Sequence, residues 1–122
     1  MRRDDARRAA DILEAIDAIT LAVEVMNSHD ADHPVTAICL DAITYRVFTI
    51  GEATKAMSTT TTGAHPKVPW SNIARMRDLI GHHYYRRDLE VILATIRDPL
   101  TQLGEACAQI AKTPSEQPDT PT

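Results

Sequence analysis

Apolar residues recur along this chain at steps of three and four, the spacing of helices that bury one face. No stretch alternates with the period of two that marks a strand. The first stripe, Ile12, Leu13, Ile16, Ile19, Val23 and Met26, predicts a helix from about Arg3 to Asn27. Arg2, Arg3, Asp4, Asp5, Arg7, Arg8, Asp11, Glu14 and Asp17 take its other side and read as a solvated face. A polar connection from Ser28 follows, ending in Pro34, a residue suited to the first position of a helix.

The second helix is predicted from Pro34 to Met57, with Val35, Ile38, Ile43, Val47, Ile50 and Met57 as its stripe. Leu40 and Phe48 widen that stripe over much of the circumference, so the helix is expected to be central or to lie in a subunit interface. Gly51 lets another backbone come close, and Glu52 beside it would be costly to bury without a partner. Ser58 to Lys67, rich in threonine, reads as a loop free to move or to touch a partner.

A third helix is expected from near Pro69, with Trp70, Ile73, Met76 and Ile80 inward and Gly81 at its end. His82 to Arg87 then form a turn. Asp88 would cap a fourth helix, whose pattern Leu89, Ile92, Ile96, Leu100, Leu103, Cys107 and Ile110 is nearly a heptad that Pro99 should bend or restart. The elements sum to an all-α, up-and-down four-helix bundle over residues 1–112. The tail, 113–122, has the composition of a disordered segment.

Composition adds little to the fold but narrows the function. The 122 residues suffice for one core, and 4% aromatic residues leave the packing to Ala, Ile, Leu and Val. Cys39 and Cys107, both in apolar surroundings, read as buried free thiols. With no apolar run of membrane length and a charged start without a signal core, a cytoplasmic protein is expected. A net charge of −4 argues against a protein that coats nucleic acid. Yet Arg75, Arg77, Arg86 and Arg87 stand against the single acid Asp78 in one short stretch, a local patch able to grip a few phosphates.

The wider segment around it, Trp70 to Asp88, also holds His82, His83, Tyr84 and Tyr85. Arginine stays charged and binds phosphate through paired hydrogen bonds; histidine exchanges protons near neutrality. Together they can cleave RNA without a metal, the 2′-hydroxyl attacking its own phosphate. On an ideal helix Arg77 and His82 lie about 140° apart and ~7.5 Å along the axis, so a break at Gly81 or a second copy of the segment would be needed to unite them. Periodicity permits such a site without demanding it. Surface or capping roles for the histidines, packing by Tyr85 and solvation of Arg86 and Arg87 are the plainer readings. No acidic or cysteine ligand is spaced to make the tandem histidines a metal site.

Arg77 to Tyr84, R-D-L-I-G-H-H-Y, resembles the R-x4-H-x-Y motif of the HepT-like toxins of the HEPN superfamily. Ile50-Gly51-Glu52-Ala53 is similar to the family's I-G-E-A stretch, Pro69 to Arg77 to its P-W-x-x-I-x-x-M-R lead-in, and Tyr85 to Glu90 to its Y-x-x-D-L-E run. The four blocks keep the family's order across the middle third of the chain. The resemblance implies a homodimeric helical bundle whose two motifs face one interfacial cleft. It implies a cofactor-free ribonuclease toxin acting on RNA, with Arg77 and His82 catalytic. It further implies a partner, a minimal nucleotidyltransferase antitoxin that transfers AMP from ATP to Tyr84; the added negative charge would then repel RNA. Asp78 replaces the Asn of many relatives, and can orient His82 or repel phosphate. His83 and Tyr85 double the motif's residues, leaving R-x5-H and modification of Tyr85 open. Two other readings stand beside this one: a non-catalytic subunit that binds a nucleotide or its nucleotidyltransferase partner, and a helical interaction module with merely solubilising arginines.

Overall fold

The computed structural model describes residues 3–78, 80 and 89–112. Helix α1 runs Arg3–Asn27 and α2 runs Pro34–Ala56, close to the bounds the periodicity predicts. Two short helices follow, α3 (Thr59–Ala64) and α4 (Trp70–Ala74), and then the long α5 (Leu89–Lys112). The architecture is all-α, and no strand occurs among the described residues. No helix of the described residues is long and apolar enough to cross a membrane.

In α1 the fully or nearly buried positions are Asp5, Ala9, Ile12, Ala15, Ile19, Ala22 and Met26, each three or four residues from the next. Three of them are alanines. Such small side chains let α1 lie close to its neighbours, and it packs against both α2 and α5. Leu13, Ile16 and Val23, expected in the stripe, flank it half-buried. Ile43, Val47 and Ile50 from α2 and Ile92, Leu103 and Ile110 from α5 complete the centre of the core. Cys39 and Cys107 are buried free thiols, and burial pushes the Cys107 thiol up to about 12.

The turn between α1 and α2 closes through His33, whose Nδ1 accepts the Val35 N–H at 3.0 Å with Pro34 at the helix start. Gly51 does receive another backbone. A Cβ built there would lie 3.5 Å from the Ala74 carbonyl oxygen, where α4 packs on α2.

Four expectations need correction. Ser58 to Lys67 is not simply a loop, since α3 occupies its first half. The third helix is broken: α4 ends at Ala74, Arg75 turns, and residues 76–78 and 80 resume helical conformation. Of the two outcomes expected at Pro99, a bend or a restart, the restart does not occur: α5 continues to Lys112. A proline removes only its own N–H from the ladder. Burial of Ile92 and Ile96 before it and Leu100 and Leu103 after it holds the register across the gap. Ile38, placed in the buried stripe of α2, is 66% exposed instead. Gly81 to Asp88, with the turn and cap expected there, and the tail from 113 onward lie outside the described residues.

Candidate active site

The chain reaches Arg77 through a chain of anchors that begins on α1. Asp5 is wholly buried, and its carboxylate accepts the Ser58 N–H at 3.1 Å, the Ser58 hydroxyl, and the Thr61 hydroxyl at 2.6 Å. Arg8, one turn along, approaches it to 3.5 Å. Burial alone would push this carboxyl up. The hydrogen bonds from Ser58 and Thr61, with Arg8 beside them, outweigh it and hold Asp5 below the usual carboxylate range. α3 is thereby fixed to α1. From α3 the tie passes to α4, because the Trp70 indole N–H donates to the carbonyl oxygens of Thr62 at 3.1 Å and His65 at 2.9 Å. The segment thought free to move is tethered at both ends.

Arg77 follows one turn after α4 and lies over α2. There Phe48, Glu52 and Lys55 share a side of the helix, four and three residues apart. The guanidinium carbon stands 5.0 Å from the centre of the Phe48 ring, within cation–π range. Nη1 of Arg77 donates to Oε2 of Glu52 at 3.0 Å, and Nζ of Lys55 is 3.6 Å from the same oxygen. On the other edge, Nε of Arg77 is 3.6 Å from Oδ1 of Asp78. Two cations and two carboxylates thus balance in one cluster. The side chains of Arg77 and Glu52 remain 34% and 48% exposed, so their pairing adds at most about 1 kcal/mol to stability. What the pairing supplies is orientation. A guanidinium fixed against a ring by a carboxylate is preset to meet a second anion.

Of the residues nominated by sequence, the structure brings together Arg77, Asp78 and Glu52. Arg75 is engaged elsewhere, its Nη2 donating to Oδ1 of Asn72 at 3.0 Å. His82, His83, Tyr84, Tyr85, Arg86 and Arg87 lie outside the described residues. Phe48 and Lys55 were not nominated, although their spacing about Glu52 was the available signal. Among the described residues no three His, Cys, Asp or Glu side chains gather as metal ligands.

Residues 12–113 match the sequence model of a family described as "Ribonuclease HepT-like". The chain belongs to this family. This HepT-like chain is 37% identical over 54 residues to "Probable ribonuclease HepT" of Thermococcus cleftensis, a stretch covering 44% of this chain and 49% of that protein. It is 42% identical over 43 residues to a protein of Methanocaldococcus jannaschii, covering 35% and 36% of the two chains. With a protein of Caldanaerobacter subterraneus it shares 36% identity over 61 residues, 50% and 54% of the two. Both of these carry provisional names as RNases. The HepT-like chain therefore spans about half the length, or less, of the curated relatives it matches. No solved structure matches it significantly.

Proposed function

We propose that this HepT-like chain is an endoribonuclease toxin that cleaves RNA without a metal, using Arg77 and His82. The observation that carries the reading is the guanidinium of Arg77, held on Phe48 by Glu52 at 3.0 Å inside the family motif. Arg77 binds a phosphate and stabilises the charge that grows on its oxygens in the transition state. The ribose 2′-oxygen attacks the adjacent phosphorus and passes its proton to the imidazole of His82. The bond from phosphorus to the 5′-oxygen breaks, and that oxygen takes up a proton, leaving a 2′,3′-cyclic phosphate and a free 5′-hydroxyl. Glu52 and Asp78 orient the guanidinium and take no part in proton transfer.

Two copies contribute motifs to one cleft in this reading, and a nucleotidyltransferase antitoxin controls it. The phenol oxygen of Tyr84 attacks the α-phosphorus of ATP, pyrophosphate leaves, and the attached AMP brings negative charge to a place that must admit RNA phosphate. The family membership and the names of the relatives support the ribonuclease; the motif spacing supports the choice of residues.

The test is expression with and without the partner. The parent chain alone arrests growth and, purified free of its partner, cuts RNA; Arg77→Ala and His82→Ala fold normally and do neither. A parent that cuts no RNA, or a His82→Ala variant as toxic as the parent, refutes the enzyme. A variant that keeps partner affinity while the parent is inert on RNA would identify a binding subunit instead. Mass increments of whole adenylates on Tyr84 after co-expression test the regulatory half.

A further inference from the structure

Arg77 is paired with more negative charge than it can balance alone. Nη1 lies 3.0 Å from Glu52 and Nε 3.6 Å from Asp78, so these three side chains together carry one net negative charge. On a chain that carries −4 overall, such a trio has no net attraction for the backbone of RNA. Lys55 restores the balance. Its Nζ stands 3.6 Å from Oε2 of Glu52, the same oxygen that accepts the Arg77 hydrogen bond. Two cations from distant parts of the chain therefore converge on one carboxylate oxygen. Nη1 and Nζ can be no farther apart than those two distances laid end to end.

We propose that Lys55 is a second phosphate-binding residue, which holds the RNA phosphate next to the one at Arg77, and that Glu52 keeps the place of a phosphate oxygen in the free protein. The inference rests on the ribonuclease reading above and adds to it a subsite along α2. Helical spacing sets its direction. Phe48, Glu52 and Lys55 share one side of α2, and the first and last are seven residues, ~10 Å, apart along the axis. Arg77 lies over the Phe48 end, Lys55 stands at the other, and Glu52 comes between. A strand laid along this side meets a cation at each end.

The change of partner is cheap for Lys55. Its side chain and that of Glu52 are each 48% exposed and sit one turn apart on the same helix, and a pair of that kind holds weakly. An RNA strand brings several phosphate oxygens, so the two cations no longer have to share one acceptor. They also differ in the freedom they keep. Arg77 is fixed between the Phe48 ring and a carboxylate, whereas an ammonium on a four-carbon stem follows the charge presented to it. Lys55 accordingly supplies affinity for the strand, and orientation of the reacting phosphate stays with Arg77. Arg97 is the contrast. It lines a groove of about 510 Å³ with Thr20, Glu24 and Asn27 from the second half of α1. Lys55 is three residues from Ser58, which is tied to Asp5 at the other end of that helix.

Binding of a short single-stranded RNA with blocked 2′-hydroxyls to the full chain, followed by fluorescence anisotropy over a range of salt concentrations, tests this. Lys55→Ala weakens binding about fivefold at low salt, the worth of one charge pair in a watery setting. It also lowers the slope of log Kd against log salt by about 0.7, the share of one phosphate on a single strand. Lys55→Arg keeps both values near those of the wild type. In the Glu52→Gln background Lys55→Ala still lowers the slope, because the lysine acts on RNA and not through its carboxylate. Arg97→Ala leaves both readings unchanged. Both side chains stand in solvent, so circular dichroism keeps the wild-type helix content in every variant. An unchanged slope for Lys55→Ala overturns the inference. So does an effect that vanishes in the Glu52→Gln background, or one that Arg97→Ala reproduces. A wild type without affinity for RNA overturns it together with the ribonuclease. Cleavage of unblocked RNA on the same samples separates the two readings. A wild type that binds RNA through Lys55 and cuts nothing keeps the subsite and loses the ribonuclease, and one that cuts RNA with a salt slope indifferent to Lys55 does the reverse.

Discussion

Replacing Asp5 should unfasten α3 from α1 and with it the first link in the support of Arg77. The carboxylate is fully buried and accepts hydrogen bonds from the Ser58 N–H and from the hydroxyls of Ser58 and Thr61, with a longer one of 3.5 Å from Arg8. Hydrogen bonds to a charged group contribute roughly 1.5–3 kcal/mol each, but these share one carboxylate whose own desolvation opposes them. Asp5→Ala also leaves Thr61, itself 1% exposed, with a hydroxyl stripped of that acceptor. The net loss should be about 3–5 kcal/mol, the range for breaking a buried charged network. Asp5→Asn keeps the shape and one carbonyl acceptor, and should lose roughly 1–2 kcal/mol. Acid gives a second reading of the same group. Its carboxyl is held low in the fold, so the unfolded chain binds the proton first as pH falls. Its stabilisation is therefore complete above about pH 5, begins to fade near the unfolded value of ~3.9, and is lost as pH drops through the lower folded value. Urea titrations followed by helix dichroism, from pH 7 down to pH 3, measure both effects. The gap between wild type and Asp5→Asn should narrow with acid at an unchanged denaturant slope. An Asp5→Ala loss under about 1 kcal/mol, or a gap that acid leaves constant, would refute the assignment.

Two further substitutions probe the path from this anchor to the site. Trp70→Phe keeps the ring but removes the N–H shared by the Thr62 and His65 carbonyls; urea titration should show a loss of about 1–2 kcal/mol, and no change would mean the tether is idle. Glu52→Gln keeps an acceptor for Arg77 and removes the competing charge, so a short RNA with blocked 2′-hydroxyls should bind up to about fivefold tighter by fluorescence anisotropy, since exposed pairs are worth ~1 kcal/mol or less. Weaker binding would mean that the orientation the Glu52 charge gives Arg77 outweighs its repulsion of RNA phosphate.

The long helices are legible because burying a stripe requires apolar residues at helical steps, and Ile12, Ile19, Ile43, Ile92 and Leu103 mark those steps plainly. Alanine is the weak point of that reading. Ala9, Ala15 and Ala22 define the true inward face of α1 without standing out from a helix rich in alanine. Asp5 continues the same register four residues before Ala9, and there a charged residue reads as solvent-facing until Ser58 and Thr61 are brought to it from more than fifty positions away. The same partnership explains α3: four threonines read as a loop, but Ser58 caps them and Asp5 holds the cap, so tertiary contact overrides propensity. At the site, Arg77 and Glu52 were named from sequence, while their pairing at 3.0 Å depends on how α4 packs against α2 and has no local signature.

What links these observations is the division of α2 among three tasks. Ile43, Val47 and Ile50 hold the core, Gly51 takes the backbone of Ala74 and so brings α4 near, and Phe48 and Glu52 then receive Arg77 from just beyond it. The order is forced. A bulkier residue than alanine at position 51 would push α4 outward, and a displacement of even 1 Å would turn a 3.0 Å hydrogen bond into a contact too long to orient the guanidinium. Because core, spacer and ring occupy successive turns of one helix, backbone packing sets where Arg77 stands, and the exposed ion pair with Glu52 only orients the guanidinium there. That is why the pair can contribute so little to stability while the guanidinium still keeps its place over Phe48.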